Sequence, residues 1–213
     1  MTRIAVIGGG LMGHGIALTI ARAGHDVALF DPVAEMRDSV LDRIADSLRL
    51  LGAAEAEIDT TRSRIAVCDA LADAVGAAQV VFEAAPEKLE LKQSIFAEIE
   101  AAAPVDAILA SNTSVIQITK IMQGLTHRDR ALGTHWWNPP HMIPLVEVVK
   151  TEWTDPARAD EMVMLLAGAR KTPVLVEKDV PGFIGNRLQH ALWREAISLV
   201  ENGICMADAV DDV

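Results

Sequence analysis

The chain has 213 residues, 51% hydrophobic and 23% charged, enough for one large domain or for a domain with a smaller appendage. Its 30 acidic residues against 19 basic ones leave a net charge of −11, which argues against a nucleic acid or an anionic membrane as partner, because phosphate surfaces need a basic face. Cys68 and Cys205 stand apart without metal-ligand spacing, and no apolar stretch suits a membrane span or a cleaved signal, so a reducing, cytoplasmic setting is expected.

Arg3–Ile7 is a short strand-like run that leads directly into Gly8-Gly9-Gly10-Leu11-Met12-Gly13. This G-x-G-x-x-G turn opens an amphipathic helix through Ala23, with Gly24 as its stop. Gly8 permits the tight bend, Gly10 lets the backbone approach a pyrophosphate, and Gly13 lets helix and strand pack closely. The helix N-terminus, with Leu11 and Met12, faces the negative charge. Asp26–Phe30 reads as a second strand, closed by Asp31, 18 residues after Gly13. A carboxylate there suits the ribose hydroxyls of NAD and repels the extra phosphate of NADP; it also suits a helix cap before Pro32. With strand, glycines, helix, strand and acid in register, NAD is the expected cofactor.

Val33–Leu51 carries helical spacing with a mixed-charge exposed face, and Gly52–Arg64 reads as the end of that helix and a polar connection. Then come a strand at Ile65–Cys68, a short helix at Leu71–Gly76, a strand at Gln79–Phe82, a helix at Leu89–Ala102 and a strand at Ala107–Ala110. This alternation predicts a Rossmann-type, doubly wound, mainly parallel α/β sheet with helices on both faces. Ligands in such sheets bind beyond the carboxyl ends of the strands, which places Gly8–Gly13, Asp31, Glu83 and Ser111–Ser114 along one edge. Ser111-Asn112-Thr113-Ser114 suits a ligand contact there, and equally a turn and cap for a helix from Ile116.

The runs Ala131–Trp136 and Leu145–Val149 bracket a loop containing Pro139 and Pro140. His135 ends the first run and Glu147 lies in the second. They cannot pair along one helix, but they can meet across adjacent strands. A carboxylate holding one ring nitrogen would leave the other free as a base, while a buried histidine satisfied by a structural acid fits the same spacing. The chain has no tyrosine, which excludes a Tyr–Lys acid–base pair. Asp155–Arg170 reads as a helix capped by Thr154 or Asp155, Pro173–Val176 as a strand, and Asp179–Phe183 as a rigid turn. Ile184–Glu201 reads as a helix stopped by Gly203, apolar on more than one face and so expected to be buried against other helices. The boundary is expected near residue 180, with 1–180 as the dinucleotide-binding domain and 181–213 as the start of a truncated all-α domain.

Four motifs in this order resemble the 3-hydroxyacyl-CoA dehydrogenase family over essentially the whole chain: Gly8–Gly13, Ser111–Ser114, Gly133–Glu147 with its His-x-x-Asn-Pro core, and Pro181–Arg187. The resemblance implies an NAD-dependent oxidoreductase with His135 as general base and Glu147 as its orienting carboxylate. Ser114 and Asn186 would hydrogen-bond the reacting oxygen and the histidine's surroundings. Asp31 would bind the adenosine ribose, and Glu83, Lys88 and Asn112 would line the nicotinamide half of the cofactor site. The implied substrate pair is a 3-hydroxyacyl-CoA and a 3-oxoacyl-CoA, as in fatty-acid β-oxidation. The implied assembly is a homodimer through the helical domain, left open by how little of that domain is present.

Some features depart from the family pattern. Trp136-Trp137 stands where the family commonly has paired phenylalanines, and Pro140–Pro144 resembles λ-crystallin-like relatives that oxidise sugar acids. Ser47 matches a position that touches CoA, yet Ala53 and Ala54 stand where a lysine is expected. A free hydroxy acid of the sugar-acid or carnitine type is therefore the alternative substrate, and a non-catalytic, crystallin-like NAD-binding protein a further alternative. No metal role is expected of His135 and His141. His14, inside the glycine turn, is placed to touch the cofactor.

Overall fold

The structure, a computed structural model, describes residues 2–213. Arg3–Ile7 (β1) lies at the middle of the sheet because both of its faces are apolar. Ile4 and Val6 enter the core on one side and Ala5 and Ile7 on the other, none more than 2% exposed. Asp26–Phe30 (β2) and Ile65–Cys68 (β3) extend the sheet one way in parallel. Val80–Glu83 (β4), Ile108–Ser111 (β5) and Ala131–Trp136 (β6) extend it the other way, also in parallel. Leu145–Lys150 (β7) then runs antiparallel to β6, and Thr172–Val176 (β8) parallel to β7. The spatial order is 3-2-1-4-5-6-7-8, so the winding reverses between β1 and β4 and opens a crevice beyond their carboxyl ends.

Helices cover both faces, as the alternation predicts. Leu11–Arg22 (α1), Ala34–Leu50 (α2), Glu55–Arg62 (α3) and later Pro156–Gly168 (α7) share one core through Leu18, Ile44, Ile58 and Met162. Leu71–Val75 (α4), Leu89–Ala102 (α5) and Ile118–Met122 (α6) share the other through Val75, Phe96, Ile99 and Ile121. Asp155 accepts the Ala157 N–H at 2.9 Å as the N-cap of α7, which settles the choice between Thr154 and Asp155. Gly185–Glu201 (α8) and Ala207–Asp212 (α9) follow β8. No helix of the described residues is long and apolar enough to cross a membrane.

Three local expectations differ from the structure. Residues 52–64 are not merely a polar connection, because α3 forms there after a break at Gly52, whose φ is +76°. Its N-cap, Ala54, offers no side-chain bond, so fully buried Ile58 anchors the helix from the core. Helix α6 begins at Ile118 rather than Ile116, because Thr113 and Glu87 take up the intervening N–H groups. Finally, no residue of α8 is buried, and Leu188, Leu192 and Ile197 stay exposed within this chain. The start of α8 is tied to β7, where the N–H groups of Ile184 and Gly185 donate to Glu147.

Candidate active site

The antiparallel register sets His135 directly opposite Glu147, and the imidazole Nδ1 lies 2.7 Å from Glu147 Oε2. Both side chains are buried, at 4% and 1% exposure. A carboxylate only accepts, so the proton of this bond sits on Nδ1, and in the neutral imidazole Nε2 is then the acceptor. The other carboxylate oxygen accepts the N–H of Ile184 at 2.8 Å and of Gly185 at 3.0 Å, the entry to α8. Burial alone would raise the Glu147 carboxyl, but the bonds from His135, Gly185 and Ile184 outweigh it and hold the group below the usual carboxylate range. The imidazole is flanked by Trp137 and Phe183, with ring centroids 5.3 and 5.5 Å away. A Cβ on Gly185 would stand 2.4 Å from the Trp137 ring, so this close approach requires a glycine.

The turn between β1 and α1 has the geometry that a pyrophosphate needs. Gly8 has φ +106°, and a Cβ there would stand 2.7 Å from the Ala84 carbonyl; one on Gly13 would stand 1.7 Å from the Gly8 carbonyl. Gly10 faces open space. No acidic side chain and no side-chain cap occupies the first turn of α1, so its N–H groups remain available to an anion. Asp31 is buried at the end of β2; Oδ2 accepts the Gly9 N–H at 2.7 Å and Oδ1 the Val33 N–H at 2.9 Å. It therefore ties the glycine turn to β2 while closing a tight turn before α2. Leu11 projects outward and Met12 packs against the core. A dinucleotide fits these residues. His14 has Nδ1 at 3.0 Å from the Gly10 carbonyl and Nε2 at 3.3 Å from Ser47 Oγ. Ser47 itself is only 8% exposed.

The third part of the edge rests on a buried ion network that the sequence reading missed. Glu83 is fully enclosed: Oε1 accepts Lys92 Nζ at 2.6 Å and the Ala85 N–H at 2.7 Å, and Oε2 accepts Ser111 Oγ at 2.6 Å. Lys92, also fully buried, lies 3.5 Å from Glu87. Glu87 in turn gathers the Thr113 hydroxyl and the N–H groups of Ser114, Val115 and Ile116. The Ser111–Ser114 loop is thus shaped from beneath. Asn112 Oδ1 accepts the Trp136 N–H at 3.0 Å, next to His135. Asn186 Nδ2 donates to the Ser114 carbonyl at 2.9 Å, so these two residues do meet across the mouth of the site. Lys88 is exposed at the N-cap of α5. A lysine on the buried stripe Lys92–Phe96–Ile99 was the one local signal that could have revealed the network.

Residues 3–180 match the family described as 3-hydroxyacyl-CoA dehydrogenase, NAD binding domain, and residues 182–213 match its C-terminal domain. An L-carnitine dehydrogenase of Streptomyces griseus is 39% identical over 98% of this chain, which spans 62% of that protein. A 5-formyl-3-hydroxy-2-methylpyridine 4-carboxylate 5-dehydrogenase of Mesorhizobium japonicum is 39% identical over 98% of this chain, which spans 68% of it. The crystal structure of a (S)-3-hydroxybutyryl-CoA dehydrogenase from Ralstonia eutropha superposes with a TM-score of 0.92 at 29% identity, covering 98% of this chain and 75% of that one.

Proposed function

This chain belongs to the 3-hydroxyacyl-CoA dehydrogenase family, and from that premise we propose that it interconverts a secondary alcohol and a ketone with NAD, using His135 as the acid–base group. The observation that supports this reading is the 2.7 Å bond that commits Nδ1 to Glu147, so that Nε2 of the neutral ring is the nitrogen free to act as base. NAD, when bound, supplies the hydride acceptor. His135 Nε2 takes the hydroxyl proton in oxidation and returns it in reduction, and the Glu147 carboxylate stabilises the intervening imidazolium. Asn186 and the Ser114 hydroxyl hold the reacting oxygen, Trp137 and Phe183 keep water from the imidazole, and Asp31 holds the ribose. Residues 1–180 act as the cofactor domain and 181–213 as the opening of the helical domain.

Within that reaction class we favour a free 3-hydroxy acid over a CoA ester. Ser47, the position tied by resemblance to CoA, is buried against His14, and Ala53 and Ala54 offer no cation to an anionic carrier. The relative named for carnitine supports the same choice, and the one named for a pyridine carboxylate supports a substrate without CoA. The CoA ester is the second reading, supported by the likeness to the Ralstonia eutropha enzyme. NADH oxidation by the full chain, over free 3-oxo acids and acetoacetyl-CoA, decides between them. Turnover on free acids alone is expected, and turnover on acetoacetyl-CoA alone would reverse the choice. NADH binding with turnover on neither would overturn the catalytic reading.

A further inference from the structure

We propose that Lys171 is a positioning residue for the His135–Glu147 pair, acting through the loop that joins their two strands. The inference rests on the acid–base reading above. Residues 137–144 connect β6 to β7, and Pro140 is buried so closely against α1 that a Cβ on Gly15 would stand 2.5 Å from it. Within the loop the N–H groups of Met142 and Ile143 both donate to the Pro139 carbonyl at 3.0 Å. Lys171, just before β8, reaches back to this loop. Its Nζ donates to the Pro140 carbonyl and, at 2.9 Å, to the Ile143 carbonyl. The next residue, Thr172, donates its N–H to the Pro144 carbonyl at 2.8 Å. The same ammonium lies 5.5 Å from the ring centroid of Trp136, the residue after His135. One side chain therefore grips both arms of the loop and the strand end that carries the base.

Its surroundings offer little else to hold. Among the described residues no carboxylate pairs with Lys171. A cavity of about 350 Å³ beside it is lined by Thr19, His141, Met142 and Arg170, with Arg22 and Glu57 paired to each other at 2.7 Å. His14 of α1 stands behind His141, ring centroids 6.0 Å apart. Burial without an acidic partner pushes the ammonium down from 10.5 to about 8. Losing the proton replaces two charge-assisted bonds to the loop by amine bonds about half as strong. The sign is distinctive. Because the folded-state value lies below the unfolded one, this group's contribution to fold stability rises from pH 8 towards 10.5, while its grip on the catalytic loop weakens over the same interval.

The test uses the full chain with Lys171→Met and Lys171→Arg, tryptophan emission from pH 6.5 to 10, and steady-state kinetics with NADH titrations. The native protein should show an emission change centred near pH 8 that both variants abolish. Lys171→Met should lose about 10- to 100-fold in kcat, with NADH affinity kept within about twofold. Lys171→Arg should recover most of that loss and move the alkaline limb of kcat upward, since guanidinium stays charged. A native emission profile flat across pH 7–9, or undiminished kcat in Lys171→Met, would overturn the inference; if Lys171→Met does not fold, the native titration and the arginine variant still decide. Failure of the acid–base reading looks different: His135→Ala would keep turnover while the emission change at pH 8 persisted.

Discussion

Replacing Glu147 by glutamine keeps the size of a side chain that is 1% exposed and alters only its charge and one acceptor atom. The carboxylate serves three donors: His135 Nδ1–H at 2.7 Å, Ile184 N–H at 2.8 Å and Gly185 N–H at 3.0 Å. Glutamine offers one carbonyl oxygen and an NH₂ group, so one side must lose. If the oxygen stays with α8, the NH₂ faces His135 and drives the imidazole into the opposite tautomer, with Nε2 protonated and no base at the reacting face. If the oxygen turns to His135, the NH₂ confronts two backbone N–H groups, leaving them unsatisfied at about 1–3 kcal/mol each. With the tautomer shifted, the first arrangement leaves no donor facing a donor, whereas the second leaves two, so the first prevails. A histidine base held in the wrong tautomer loses roughly 10⁴-fold in kcat where the same change has been made in a serine-protease triad, equivalent to about 5.5 kcal/mol. The charge lost at the start of α8 removes roughly 1 kcal/mol of stability. The expected result is kcat down about 10³- to 10⁴-fold by NADH absorbance, NADH affinity within about twofold, and a slightly lower urea midpoint. Turnover within tenfold of the native protein would refute the reasoning.

Gly13→Ala places a Cβ 1.7 Å from the Gly8 carbonyl, backbone that cannot yield cheaply. It should lower stability by about 3 kcal/mol and weaken NADH binding, read by thermal melting and fluorescence titration. Lys92→Met leaves the fully buried Glu83 carboxylate without its cation and should cost about 3–5 kcal/mol, part of which Glu83→Gln restores in the double variant; additive losses in urea would contradict the network. Stability should also fall with acid in two stages. Burial holds His14 and His141 below their ordinary 6.5, so the unfolded chain takes up protons that the folded one refuses, and the urea midpoint should begin to fall below pH 6.5. Glu87, Glu100 and Glu147 are held below 4.5, and their contribution, complete above that value, should be lost at lower pH; a midpoint that rises from pH 7 to 5 would contradict this.

The sheet is legible in the sequence because β1, β4 and β5 are apolar on both faces and the glycine turn marks where the first strand ends. Helix α3 is not, since its hold is tertiary, through Ile58, and its start lacks a capping side chain. The His135–Glu147 pair is visible from its spacing across two strands, but the second role of Glu147 is hidden. Its partners there are backbone N–H groups 37 and 38 residues further on, which no side-chain pattern announces. Ser47 shows the opposite case. It shares the buried face of α2 with Val40, Ile44 and Leu48, so helical spacing already placed it inward where resemblance suggested a ligand contact. Asn186 and Ser114, each read from the resemblance as a partner of the reacting oxygen, touch one another through amide and carbonyl, a contact that spacing 72 residues apart does not announce and that leaves the Ser114 hydroxyl out.

The central claim is that His135, held by Glu147, moves the proton during hydride transfer. Single-turnover NADH formation by His135→Ala, with NADH affinity measured on the same preparation, tests it most directly. The expected rate is at least about 10³-fold below the native one, with NADH affinity essentially unchanged. A near-native rate, or a rate that falls only in step with lost NADH affinity, would contradict it.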